Sequence, residues 1–259
     1  MRASFYPKMA WDGIRKNRRL YLPYLITCMV MVMMHYIVSF LSTTPVLASI
    51  PGSDSIGFTL ELGSWVMAFF SLLFLFYSNA FLMRRRKKEF GLYNILGMGK
   101  WNISKILLWE TGMTALLSLA VGLAAGVGLS KLFELGMVNL MGGQVSTTFS
   151  VSPGDLLQTA LIFCVIFLLL LLNSLRQISL SNPIALLRSE SAGEKPPRAN
   201  WLLGILGVLL LAAAYYLAVI IADPLAALML FFVAVLLVIA ATYLLFIAGS
   251  VVLCRLLQK

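Results

Sequence analysis

The sequence predicts an all-α integral membrane protein with six transmembrane helices. Three observations carry this expectation. The 259 residues are 61% hydrophobic and only 12% charged, with a mean hydropathy of +0.94. A soluble domain averages about 25% charged residues. Six apolar runs each reach the length of about 20 residues that crosses a hydrocarbon core. The 20 Lys and Arg residues cluster at the ends of those runs. That is the pattern of membrane topology and anionic-lipid contact, so the net charge of +10 points to lipid and not to nucleic acid.

The elements follow in order. Residues 1–19 hold six cations and belong outside the bilayer. The first span runs from Leu20 to Leu41. Val46-Leu47-Ala48 resembles a cleavage site, but an apolar core of this length exceeds the 7–15 residues of a signal peptide, so the run is expected to persist as a span. The second span covers Leu62–Met83, with Glu61 just outside it. The third covers Ile103–Val127 and the fourth Leu156–Leu175. Residues 188–200 are polar and contain Pro196-Pro197, the composition of a linker. The fifth span is Trp201–Ile221. Ala222-Asp223-Pro224 then turns the chain into a sixth, Leu225–Cys254, long enough to span with tilt.

Of the 20 Lys and Arg residues, all but Lys131 fall in residues 1–19, 84–105, 176–198 or 255–259. This bias predicts that both termini and the two long basic connections are cytoplasmic. Cys28, Cys164 and Cys254 lie inside apolar runs without metal-type spacing, and read as small buried hydrophobes.

The connection at 84–100 is the most informative stretch. Arg84, Arg85, Arg86, Lys87 and Lys88 cannot sit at mid-membrane, where burying all five would cost on the order of 12–17 kcal/mol. They are expected to set topology and touch anionic lipid. A stop-transfer cluster accounts for the cations alone. It does not account for Phe90, Leu92, Tyr93, Ile95 and Leu96, which recur at i, i+3, i+4 spacing, or for Gly97 and Gly99, which would end a helix. The segment therefore predicts a short amphipathic coupling helix. A helix lying on lipid and a helix docked in a soluble subunit share this periodicity. Asn182-Pro183 can start a second such helix, with Pro at its first position.

Catalytic chemistry is not legible. Gly99-Lys100 is followed by Trp101, and position 94 is Asn, so the Walker A pattern is absent. No catalytic triad, paired-carboxylate or metal-ligand set is recognisable. Two polar residues within the spans stand out, His35 and Glu110. His35 reads as a bundle-interior residue. Glu110 reads as a carboxylate that must find a cation, such as Lys105, or a partner helix. Gly122 and Gly126 have the spacing that allows close helix packing.

The run Arg-Arg-Lys-Lys-Glu-Phe-Gly-Leu-Tyr-Asn-Ile-Leu-Gly-Met-Gly-Lys (85–100), the following Leu107-Leu108-Trp109-Glu110, the glycines of the third span, and Asn182-Pro183-Ile184-Ala185-Leu186-Leu187-Arg188 together resemble the FtsX-like domain of MacB-type ABC transporter permeases. The resemblance covers about residues 60–190. The stretch Ala10-Trp11-Asp12-Gly13-Ile14-Arg15-Lys16-Asn17-Arg18-Arg19 also looks like these permeases, where it forms an interfacial helix. The short loop after the first span and the tight fifth–sixth pair are most similar to the N-terminal half of the bacitracin-type (BceB-like) branch. BceB-like permeases continue into a further span, an external domain and a second FtsX-like set, so this chain is expected to be a truncation, a fragment or a split subunit.

The resemblance implies a domain plan: an N-terminal interfacial helix at 1–19, the first span plus FtsX-like domain at 20–190, a linker at 191–200 and a helical hairpin at 201–259. It implies a permease in the bacterial cell membrane without cofactor or catalytic residues of its own. ATP would be hydrolysed by a separate, dimeric ABC ATPase subunit. A second permease half and a sensor histidine kinase are further implied partners, and resistance to peptide antibiotics such as bacitracin is the implied task. The expected ATPase contact is Glu89, Phe90, Leu92, Tyr93, Ile95 and Leu96, with Pro183, Ile184 and Leu186 as a second. Two alternatives stand beside this reading: a truncated signalling or scaffold membrane protein, and a small non-ABC transporter, which would need more polar sites at mid-membrane.

Overall fold

Residues 18–43 illustrate how the elements form. Apolar side chains that favour or tolerate the helix fill the segment, and inside a bilayer the backbone has no other way to satisfy its polar groups. The same holds along the chain. A computed structural model describes residues 5–49, 52–141, 151–180, 201–220 and 224–257. Its elements are α1 (Phe5–Lys16), α2 (Arg18–Thr43), a 3₁₀ turn (Pro45–Ser49), α3 (Ser53–Ile95), α4 (Lys100–Met141), α5 (Pro153–Leu180), α6 (Trp201–Ile220) and α7 (Pro224–Leu257). Among the described residues, six helices are long and apolar enough to span a membrane, as the sequence predicts.

Helix lengths depart from expectation. α3 has 43 residues and α4 has 42. At 1.5 Å per residue each is about 60 Å long, twice the hydrocarbon thickness of about 30 Å. The separate coupling helix expected after the second span is instead the last turns of α3 itself. No proline interrupts residues 84–96, and Arg, Lys, Glu and Leu are good helix formers, so the span simply continues. It stops at Gly97, whose φ of +87° suits a residue without a side chain. There Met98 N–H donates to Tyr93 C=O at 2.9 Å and Gly97 N–H to Asn94 C=O at 3.1 Å. This pair of bonds is a Schellman cap. The N-terminal helix also ends earlier than expected. Asn17 interrupts it, and Arg18 and Arg19 already belong to α2.

The chain divides into two units, Met1–Ala192 and Gly193–Lys259. In the first, α2 is the central helix, packed against α3 on one side and α4 on the other. Consecutive α3 and α4 therefore meet each other only slightly. The core along α2 and α5 is built from Tyr24, Cys28, Val32, Leu75, Phe163 and Leu170.

The α2–α4 contact has a sequence cause. The buried residues of α4 include Ile106, Glu110, Thr114, Ser118, Gly122, Gly126, Ser130, Glu134 and Val138, one every fourth position. A step of four residues advances about 40° around a helix of 3.6 residues per turn. The buried line thus winds around α4 and brings different partners to its two ends. In the middle the line is made of small residues. A Cβ at Gly122 would lie 2.8 Å from Met29 O and from Val32 Cβ, and one at Gly126 would lie 2.9 Å from Tyr36 Cδ1. The glycine pair is where the α2 backbone approaches α4.

Polar bonds tie α5 to its neighbours. Ser39 Oγ and Thr43 Oγ1 donate to Asp155 at 3.2 and 2.5 Å. One turn further in, His35 Nδ1 meets Thr159 Oγ1 at 3.1 Å. Asn79 Nδ2 donates to Ser174 Oγ at 2.7 Å. The second unit is the α6–α7 hairpin, packed through small residues: Ala214, Ala234 and Ala241 are buried, and a Cβ at Gly207 would lie 3.3 Å from Ala241 O.

Candidate functional site

Among the described residues, the bundle end that carries the 84–88 cations holds a dense polar cluster with Arg86 at its centre. Its guanidinium Nη1 donates to Glu110 Oε2 on α4 at 2.5 Å, and the same nitrogen donates to the Tyr21 hydroxyl on α2. Its Nε donates to Glu89 Oε2, one turn on along α3, at 3.1 Å. The ring of Phe90 lies 4.9 Å from the guanidinium carbon and that of Tyr21 5.4 Å. Arg86 is 1% exposed. A planar fork with several donors suits this work, because one side chain serves several acceptors at once.

The cluster extends to α1. Asn17, at the α1–α2 joint, donates from Nδ2 to Glu89 Oε1 at 2.6 Å. Gly13 of α1 comes so close that a Cβ there would lie 2.8 Å from Glu110 Oε1. Beside it, Lys105 lies 5.3 Å from the Tyr6 ring centroid and 5.8 Å from that of Trp101, and the Tyr6 hydroxyl donates to Asn102 Oδ1 at 2.9 Å. Four helices thus converge on one guanidinium.

This arrangement corrects two expectations. Arg86 does not join the topology and lipid strip, because its charge is buried against Glu110. Glu110 pairs with Arg86 and not with Lys105. Physically, a carboxylate two turns inside a span needs a cation that can be desolvated with it. The weakly hydrated guanidinium on the neighbouring helix suits that better than an ammonium at the interface. Arg84 and Arg85 are exposed, with Arg85 over the Phe81 ring at 5.3 Å. The side chains of Lys87 and Lys88 lie outside the described residues, as do Pro183, Ile184 and Leu186. His35 is fully buried, away from this cluster, on Thr159.

The residues expected to contact an ATPase separate onto two faces of the α3 tip. Phe90 is 1% exposed and packs with Met83, Ile103, Leu107 and Ile178. Tyr93 packs against the same cluster. Its burial, reinforced by the Glu89 carboxylate, raises its phenol above the usual range and keeps it neutral. Glu89 is partly buried between Arg86 and Asn17. Leu92, Ile95 and Leu96 point the other way, at 52%, 63% and 71% exposure. The inner face anchors the tip and the outer face presents three large aliphatic side chains. Lys100 adds a tie to α5, donating from Nζ to Ser179 O at 2.7 Å. Sequence reasoning missed Arg86, Tyr21, Asn17 and Gly13 as parts of one site. Glu110 was the available signal, since an intramembrane carboxylate demands a buried partner.

Residues 61–183 match the family model described as FtsX-like permease C-terminal. That range runs from the first turns of α3 to just past α5 and includes Arg86, Glu110 and the whole α3 tip. The chain is 27% identical over 203 residues to the bacitracin export permease protein BceB of Bacillus subtilis (strain 168), covering 77% of this chain and 31% of that protein. It is 29% identical over 205 residues to the uncharacterized ABC transporter permease YvcS of the same organism, covering 78% and 32%. The BceB of Halalkalibacterium halodurans is 26% identical over 202 residues, covering 76% and 31%. The chain spans about a third of the length of these curated relatives. It is an all-α multi-pass membrane protein whose residues 61–183 are similar to the FtsX-like permease region and whose sequence is similar to bacitracin-type ABC transporter permeases.

Proposed function

We propose that this chain is the membrane subunit of an ABC transporter, and that the exposed face of the α3 tip docks a separate cytoplasmic ATPase. The observation that carries the reading is the aliphatic trio Leu92, Ile95 and Leu96. It stands at the end of an unbroken helix, inside the FtsX-like region, at the bundle end rich in Lys and Arg. An i, i+3, i+4 apolar face suits insertion into a groove of a soluble partner. Because α3 is continuous from Ser53 to Ile95, a displacement of the tip is delivered to the span without a joint. This supports a MacB-type mechanism in which ATP binding on the partner moves the spans. The relation to BceB supports a task in export of, or resistance to, bacitracin-like peptides, with a second permease half completing the membrane unit and a sensor kinase as an associated partner. Pro183, Ile184 and Leu186 form the second proposed contact.

The test substitutes Asp at Leu92 and at Leu96. Both variants are expected to insert in the membrane as the parent does and to lose co-purification with a co-expressed ABC ATPase subunit. Unchanged co-purification would favour an α3 tip that lies on lipid.

A further inference from the structure

Arg86 has two carboxylate partners of different kinds. Glu110 is on α4 and 2% exposed; Glu89 is on Arg86's own helix and 33% exposed. Breaking a buried ion pair normally leaves a desolvated charge, which costs about as much as a marginal protein can spare. Here the guanidinium would not be stranded. If the α3 tip moved away from α4, Arg86 would leave Glu110 and keep Glu89, because the Arg86–Glu89 pair travels with α3. The rest of the α3–α4 contact is light. α3 and α4 lie mainly against α2, and at this end they meet through Phe90 packed on Ile103 and Leu107. The four residues between Ile95 and Lys100 connect them with Gly97 and Gly99, so the short connection has the backbone freedom that a changing angle needs.

We propose that Arg86 is a positioning residue with two exchangeable counter-ions. Bonded to both Glu110 and Glu89 it holds the α3 tip on α4; bonded to Glu89 alone it lets the tip move with the guanidinium still paired, while Glu110 keeps the Tyr21 hydroxyl of α2 as its hydrogen-bond partner. This deepens the docking reading above and rests on it for its purpose, since the tip is the surface the ATPase would move. Asn17 and Gly13 place the α1–α2 joint against the same two carboxylates, so the tip's position is also passed to α1.

The full chain in lipid nanodiscs tests this by amide hydrogen exchange over residues 86–95, without any partner. Glu110→Gln weakens the link to α4 and is expected to speed exchange there by about tenfold, the scale of one charge-assisted hydrogen bond. Glu89→Gln keeps the oxygen that accepts from Asn17 but weakens the alternative counter-ion. It is expected to slow exchange at least about twofold, by holding Arg86 on Glu110. Opposite signs are the signature. A cluster that merely holds the fold together would speed exchange in both variants, and that result, or no change in either, overturns the proposal. Should Glu110→Gln not fold, Glu110→Asp keeps the charge, shortens the reach and must shift exchange in the same direction. Co-purification with the ATPase subunit is read separately. Both Gln variants leave Leu92, Ile95 and Leu96 intact and should retain it, so a failed docking reading and a failed counter-ion exchange give different results.

Discussion

Gly122 and Arg86 show how much single residues decide here. Gly122 is a contact surface made by the lack of a side chain. Adding one methyl group would place it 2.8 Å from Met29 O and from Val32 Cβ. Neither a backbone carbonyl nor a β-branched Cβ can swing aside. Gly122→Ala is therefore expected to push α2 and α4 apart and to destabilise the bundle by about 1–3 kcal/mol, measurable as a lower unfolding temperature in detergent. Gly128→Ala, in open space on the same helix, is the control and should be neutral or slightly stabilising. The spacing of Gly122 and Gly126 was legible in the sequence, but their partner was not. Arg86 is the harder case. Five adjacent cations look alike in one dimension, and only the rotation of α3 relative to Glu110 selects one of them for burial.

At the scale of elements, the α3 tip is the main result. Its periodicity is helical, yet it is no separate helix. Its apolar residues divide into an inner set, Phe90 and Tyr93, and an outer set, Leu92, Ile95 and Leu96. The i, i+3, i+4 rule recognises the helix, but both sets satisfy it, so the rule cannot say which face is covered. The cap at its end was legible, because Gly97 has the residue type that a left-handed position requires. Gly97→Ala is expected to cost about 1 kcal/mol through its φ of +87°. The loss should fray the last turn of α3. Circular dichroism would barely register it, whereas hydrogen exchange at Tyr93–Leu96 should rise several-fold while α5 amides stay unchanged.

At the scale of the whole molecule, charge asymmetry makes a claim of its own. The basic end of the bundle is expected to face the cytoplasm and Lys131 the outside. Single cysteines in a cysteine-free background check this in intact cells. Cysteines at Leu96 and Trp11 should react with a membrane-impermeant maleimide only after the membrane is opened, and one at Lys131 should react before. Reaction of Leu96 in intact cells would invert the topology and remove the tip from any cytoplasmic ATPase. The same scale frames the similarity to longer permeases: the FtsX-like region supplies the site, while the relatives run to about two and a half times this length.

The sequence by itself determined the membrane class, the number and positions of the spans, the end of α3 at Gly97 and the relation to FtsX-like permeases. These rest on hydropathy, length, glycine conformation and local motif, all of which act over a few neighbouring residues. Only the tertiary structure decided that α2 separates α3 from α4, that Arg86 and not Lys105 neutralises Glu110, and that Phe90 faces inward. The physical reason is specific to membranes. Lipid-facing and protein-facing residues are both apolar, so the hydrophobic pattern that would reveal a buried face in water carries little information. Which surfaces meet is settled by small residues, by shape and by a few long-range polar pairs, and those depend on partners far away in the chain.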